Sequence, residues 1–267
     1  MTRISPYRYI FLLACLGAVA CKKVIQVKLD NATPQIIIEG NVTNGPGPYQ
    51  VLISRSVDFS AANTFPPVSG ATVSITDSTT GAVEQLQESD SGVYVTHYLS
   101  GTPLHTYELL VIVNGKQYTA SSTMPSPVAL DSVTFSENTG FDNKMTVNAV
   151  VNFLDPPGVV NYYQFTELVN SRLIPNVFVF EDRLSDGRYI EDPLFNDSSY
   201  MQKGDTLLLT MNCVDQNTYN YFFTLANVTG NNSFQSTTPA NPISNLSNGA
   251  LGYFSAHTTT AERLLVY

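Results

Sequence analysis

The sequence predicts a mainly β protein: an N-terminal immunoglobulin-like, Greek-key β-sandwich, then a second mostly-β domain carrying one α-helix. Three observations carry this expectation. Tyr (15), Phe (14), Val and Thr are abundant while charged residues are only 13%, a balance that favours strands. Short segments alternate apolar and polar side chains at period two. Turn residues separate them at the spacing of a sandwich.

The chain opens differently. Residues Thr2–Arg8 are short and basic, Tyr9–Ala20 is an apolar run, and charge returns at Lys22-Lys23. This is the three-part shape of a secretory signal. A dozen helical residues would span only about 18 Å, and a membrane-crossing helix needs roughly 20 residues. Ala18-Val19-Ala20-Cys21 puts small residues before a Cys and resembles the lipobox of bacterial lipoproteins. Leu12-Leu13-Ala14-Cys15 carries the Leu that the first motif lacks. Cutting there would halve the apolar run and leave Leu16–Ala20 as an apolar stub. Residues 1–20 are therefore read as the signal and Cys21 as the lipidation site. Several acyl chains on one Cys, palmitate among them, satisfy the need for more than one lipid chain in a stable anchor.

Residues 21–34 read as the tether. The N-terminal sandwich spans 35–124. Gln35–Glu39 is a β-branched run, Asn44–Pro48 is dense turn chemistry, and Tyr49–Ser54 alternates again. Asp58–Pro67 reads as loop. Ala71–Thr76, Gly92–Thr96 and Tyr107–Val113 are strands, and Asn114-Gly115 supplies a two-residue hairpin turn into Lys116–Ser121, since both residues tolerate φ > 0. Asp90-Ser91-Gly92-Val93-Tyr94 resembles a tyrosine corner, with Thr96 where antibody domains have Cys.

Met124-Pro125-Ser126-Pro127 is a stiff linker, and the C-terminal domain runs over 128–267. Strands are expected at Asp131–Ser136, Met145–Leu154, Tyr162–Val169, Val177–Glu181 and Thr206–Asn212. Asp155–Gly158 breaks the chain, and Asp182–Asp192 reads as a charged loop. A helix is expected near 215–228: Asp215 is its N-cap, and Tyr219, Phe222, Phe223 and Ala226 share one face. Residues 231–249 read as loop, followed by two strands, Leu251–Ala256 and Arg263–Val266.

Chemistry-bearing motifs are sparse. The net charge is −9; without Arg3 and Arg8 the mature part has 13 − 2 = 11 basic groups against 22 acidic ones, or −11. No basic footprint for nucleic acid exists. Cys213 stands alone after Cys21, so no internal disulfide is expected, and it reads as a small buried side chain. His97, His105 and His257 lack zinc spacing. No nucleophile elbow, P-loop or dinucleotide fingerprint is present. No catalytic, cofactor or metal residues are assigned. Glu181, Asp182, Asp186, Glu191 and Asp192 crowd one loop. They could serve glycan hydrolysis, which needs two carboxylates flanking the scissile bond. Asp182–Gly187 partly matches a calcium loop, and solvated loop charge accounts for the same residues.

Several segments, in order, carry a resemblance: Ile36–Gly40, Gly45–Tyr49, Leu52–Ser56, Pro67–Val73, Pro239–Pro242 and Gly249–Phe254. Together they resemble the domain-of-unknown-function 4249 family of Bacteroidota lipoproteins. The resemblance implies an outer-membrane, lipid-anchored protein associated with a TonB-dependent receptor, and no catalytic residues. Lys22 and Lys23 stand where the Bacteroidota surface-export signal has acidic residues, so the face of the membrane stays open. The expected function is a non-enzymatic accessory or ligand-binding partner of such a transporter. The alternatives are an envelope glycan hydrolase and a structural or adhesive surface protein.

Overall fold

The computed structural model describes residues 33–58, 64–139, 145–229 and 240–267. The expected export signal, Cys21 and nearly all of the expected tether lie outside them, as do parts of the loops expected at 58–67 and 231–249. The protein is mainly β, with three sheets stacked in a sandwich-like arrangement and one helix in the C-terminal part.

The first sandwich follows from its alternation. β1 (Ile36–Thr43), β2 (Gln50–Arg55), β6 (Val93–Val95) and β5 (Gln87–Asp90) lie side by side. The facing sheet is β4 (Ala82–Gln85), β3 (Thr72–Asp77), β7 (Thr106–Val113) and β8 (Lys116–Thr123). This is the A-B-E-D and C-F-G order of immunoglobulin-like sandwiches, with β4 added beside C. Inward positions alternate as read: Ile38, Val51, Val73, Ile75, Leu109 and Val111 are buried. Asn114 and Gly115 have φ of 49° and 80°, as the β7–β8 hairpin requires.

The tyrosine corner is displaced from its expected place. Tyr94 is buried, and its hydroxyl donates to the Val68 carbonyl (3.0 Å) and accepts from the Ala71 amide (2.9 Å). It therefore pins the loop before β3, more than twenty residues upstream. The local corner belongs to Tyr107 at the start of β7, the F strand, whose hydroxyl accepts from the Thr102 amide at 2.7 Å. Leu109 then occupies the position of the antibody Cys. Each such buried bond contributes about 1 kcal/mol.

The second sandwich packs a three-stranded sheet against strands of the large one. The small sheet is β14 (Tyr189–Leu194), β10 (Met145–Leu154) and β9 (Ser132–Thr139). Opposite lie β11 (Tyr162–Val169), β15 (Thr206–Val214), the two-residue β12 (Arg172–Leu173) and β13 (Phe178–Glu181), which pairs the free side of β11. β14 corrects the charged loop expected over 182–192. Glu191, Asp192 and Pro193 argue against a strand, but β14 is an edge, where a residue without an amide hydrogen is tolerated.

The last strand, β16 (Leu251–Leu265), is a single 15-residue element, not the two short strands expected. Thr258, Thr259 and Thr260 carry it through, being β-branched residues that suit extended backbone. Its first half pairs parallel with β1 (Ile37↔Leu251 to Thr43↔His257) and its second half antiparallel with β15 (Cys213↔Thr258 to Thr206↔Leu265). The nine-stranded sheet thus runs through both sandwiches, and Pro34–Tyr267 forms one compact unit. Two hydrophobic clusters still divide at the 124–127 linker, Met124 belonging to the first and Val128 to the second. Leu246, Ala250, Phe254 and Ala256 join the first, and Val266 the second. Thr258 and Thr260 hydroxyls reach the carbonyls of Ser126 in the linker and of Val128 just after it.

The helix α1 (Gln216–Thr229) starts as expected, with the Asp215 carboxylate accepting from the Thr218 amide at 2.8 Å. Its buried side chains are Thr218, Tyr219, Tyr221 and Ala226. Phe222 is half-buried and Phe223 is 44% exposed, so the buried stripe is rotated from the one expected. The cause is the sheet beneath: Tyr221 and Phe222 both pack on Tyr253 of β16, and Tyr219 on Tyr162 of β11. Among the described residues no helix is long and apolar enough to cross a membrane.

Gly252 shows how tightly β16 is laid on β1. Its φ is +91°, and a Cβ there would run into the Ile38 carbonyl. Gly252→Ala is expected to lower stability by about 2 kcal/mol or more, read from the urea midpoint at unchanged m-value.

Candidate functional site

The five carboxylates expected to share a loop face three different surroundings. Glu181 pairs with the exposed Arg183 at 3.1 Å. Glu191 and Asp192 are neighbours on β14 and so point to opposite faces, the first exposed and the second half-buried. Asp182 and Asp186 come together, joined by Asp155 from the end of β10; single oxygens of the three lie within 4.8 Å of one another. No open cleft collects these groups into an acid and base pair among the described residues.

The three aspartates fasten two loops. Asp155 is fully buried and accepts from the Tyr163 hydroxyl at 2.5 Å and the Gly187 amide at 3.1 Å. Asp182 is buried and accepts from the Asn161 amide at 2.7 Å, while Asp186 accepts from the Gly158 amide at 2.7 Å. Burial raises the Asp182 carboxyl above its ordinary range; the Asn161 amide lowers it, and the neighbouring Asp155 and Asp186 raise it further. These are the residues that could hold a hard cation such as Ca²⁺, which takes carboxylate oxygens. Each is also satisfied by the loop amides it binds. Asp155 was missed in the sequence because it lies in the Asp155-Pro156-Pro157-Gly158 break, far from the 181–192 cluster.

A second polar cluster sits inside the second sandwich. Glu167 projects inward from β11 and is 1% exposed. One oxygen accepts from Asn196 Nδ2 at 2.6 Å; the other, Oε1, has no partner. Asn196 is held in turn by Asn148 and Asn176. Burial pushes the Glu167 carboxyl up to about 7, against a smaller opposing effect of the Asn196 bond.

The histidines are placed separately. His97 is partly exposed beside Glu84, and His105 Nδ1 lies 2.8 Å from Asp77. His257 is buried in β16 against Ser255 Oγ at 3.0 Å, and burial alone lowers its imidazole to about 4. Cys213 is buried, and burial raises its thiol.

A concavity of about 690 Å³ lies elsewhere, on the outer face of the β4-β3-β7-β8 sheet. Its floor includes Ser74, Thr76, Glu108, Leu110, Thr119 and Ser121. Its wall is the segment 244–247, zipped to β8 by the Ser247 amide on the Thr119 carbonyl (2.8 Å) and the Thr119 amide on Ser247 Oγ (2.8 Å). Hydroxyls both donate and accept, so the groove can hydrogen-bond a polar ligand. No local pattern in the sequence announces it, because the wall comes from more than a hundred residues downstream.

Glu167 and His257 give opposite pH responses. The raised Glu167 value means that the fold holds this proton more tightly than the unfolded chain. Its contribution is fully present below about 4.5 and is lost as pH rises through about 7. The lowered His257 value makes the unfolded chain the better proton binder. Its contribution is complete above about 6.5 and is lost as pH falls through about 4. The two nearly cancel in the wild type. Glu167→Gln should therefore leave the His257 limb alone, so that stability climbs from pH 4 to 6.5. The variant should also exceed the wild type at pH 8 by on the order of 1–3 kcal/mol, measured by denaturant titration across pH.

No curated protein matches the chain in sequence. A family model, described as a domain of unknown function (DUF4249), matches residues 22–263. That span starts immediately after Cys21, includes every residue of the loop and groove sites above, and places the chain in the DUF4249 family.

Proposed function

We propose that this chain is a lipid-anchored, non-catalytic envelope protein, held at the outer membrane through Cys21 and serving as accessory or ligand-binding partner of a TonB-dependent transporter. The observation that carries the proposal is the junction at position 21. An apolar run ends at a thiol there, and the family domain begins at the next residue. Lys22–Thr33 then precede the compact unit that starts at Pro34. Twelve residues can reach at most about 40 Å when extended, enough to let the folded unit meet a membrane-embedded partner without entering the bilayer.

The folded part is consistent with binding rather than turnover. The carboxylates that a glycan hydrolase would use are dispersed or engaged with backbone amides. The hydroxyl-lined groove offers recognition chemistry on a rigid sheet face.

Two measurements test this reading. The mature protein should carry fatty acyl groups on Cys21 by mass spectrometry, and Cys21→Ala should move it from the membrane fraction to the soluble one. Mild solubilisation should co-purify a TonB-dependent receptor; recovering the acylated protein with no receptor would retain the anchor and remove the transporter role.

A further inference from the structure

A second pocket, of about 250 Å³, lies between α1, β13 and β14. Phe165 forms its floor and is 2% exposed. Phe178 and Phe180, alternate residues of β13, share one wall. Phe223 closes the helix side, stacked on Tyr219 with centroids 5.7 Å apart and 44% exposed. Leu194 and Asp192 of β14 stand opposite. Every other lining side chain is apolar, and no Lys or Arg lines the pocket.

Asp192 is out of keeping with this setting. Its carboxylate is half-buried, and among the described residues no hydrogen bond or ion pair reaches it. Burial raises it, with no charged or hydrogen-bonding neighbour to offset that cost. The other buried or half-buried aspartates of the C-terminal part, Asp155, Asp182, Asp205 and Asp215, each engage a donor. A half-buried carboxylate with no protein partner in an aromatic pocket can be answered by a cation, and ring faces also attract cations through their negative quadrupoles.

We propose that this pocket binds a small organic ammonium ion bearing an apolar group, its charge against Asp192 and its hydrocarbon part among the four phenylalanines. The ligand needs both halves. A metal ion would find one carboxylate and no further oxygen side chains, and a neutral hydrocarbon would leave Asp192 unanswered. This inference goes beyond the accessory role and requires neither the anchor nor a transporter.

The test uses the full mature chain carrying Cys21→Ala, which needs no detergent, with benzyltrimethylammonium as probe and benzyl alcohol as its uncharged counterpart. Titration calorimetry or protein-observed NMR should show saturable binding of the cation, with benzyl alcohol at least about tenfold weaker. Asp192→Asn should weaken the cation at least about tenfold, and Phe223→Ala, at a half-exposed helix position, by about threefold. Thermal melts confirm that the variants fold; if Asp192→Asn does not, the Phe223→Ala loss and the charged-to-neutral ratio decide the matter. Absence of saturable binding, equal binding of the neutral compound, or wild-type affinity in a folded Asp192→Asn would overturn the proposal.

Discussion

The fold depends on one strand having two partners of opposite direction. β16 lies parallel to β1 in its first half and antiparallel to β15 in its second. Its first half buries Phe254 and Ala256 in one core; near its end half-buried Leu264 packs on the other, in which Val266, just beyond the strand, is buried. Neither sandwich can complete its large sheet without this strand. The contacts around its midpoint reinforce the point. Ser122 of β8 accepts from the Ala256 amide and donates to Asp215, the residue that caps α1. Asn44, just after β1, accepts from the Thr259 amide. The last strand therefore cements the first described one, and the two cores are expected to share one cooperative transition despite having separate interiors.

Much of the architecture was readable from residues alone because its rules are local. Alternation marked β2, β3 and β11, a β-branched run marked β1, the Asn114-Gly115 pair marked the β7–β8 hairpin, and Asp215 marked the helix start. What could not be read depends on distant partners. Asp90–Tyr94 carries the right residues for a corner, yet Tyr94 answers to a loop far upstream while Tyr107 makes the local bond. Glu191-Asp192-Pro193 looks unlike a strand until an edge position is available. The helix stripe rotated because Tyr253 and Tyr162, from two other strands, offered ring contacts. The same holds for the sites. The proposal of Cys21 rests on an adjacent run, whereas Asp155 and the partnerless state of Asp192 emerge only when separate loops and strands converge.

The chain is acidic, with a net charge of −9, but its carboxylates do unlike work according to their surroundings. On the 155–161 and 182–188 loops they accept backbone amides and hold irregular segments in place. Glu167, enclosed in the second core, favours its proton. Its counterweight is His257, which favours the neutral imidazole for the same physical reason with the opposite charge. A low-polarity interior thus selects uncharged forms of an acid and a base at once.

The parallel pairing of β1 with β16 also has a mechanical meaning. β1 is the first strand after Pro34, with neighbours on both sides. A pull along β1 from its N-terminal end stresses both ladders in shear. The transverse bonds then share the load instead of opening one after another as in a peeled hairpin. A body fastened through that end can be tugged by its attachment and still keep its shape.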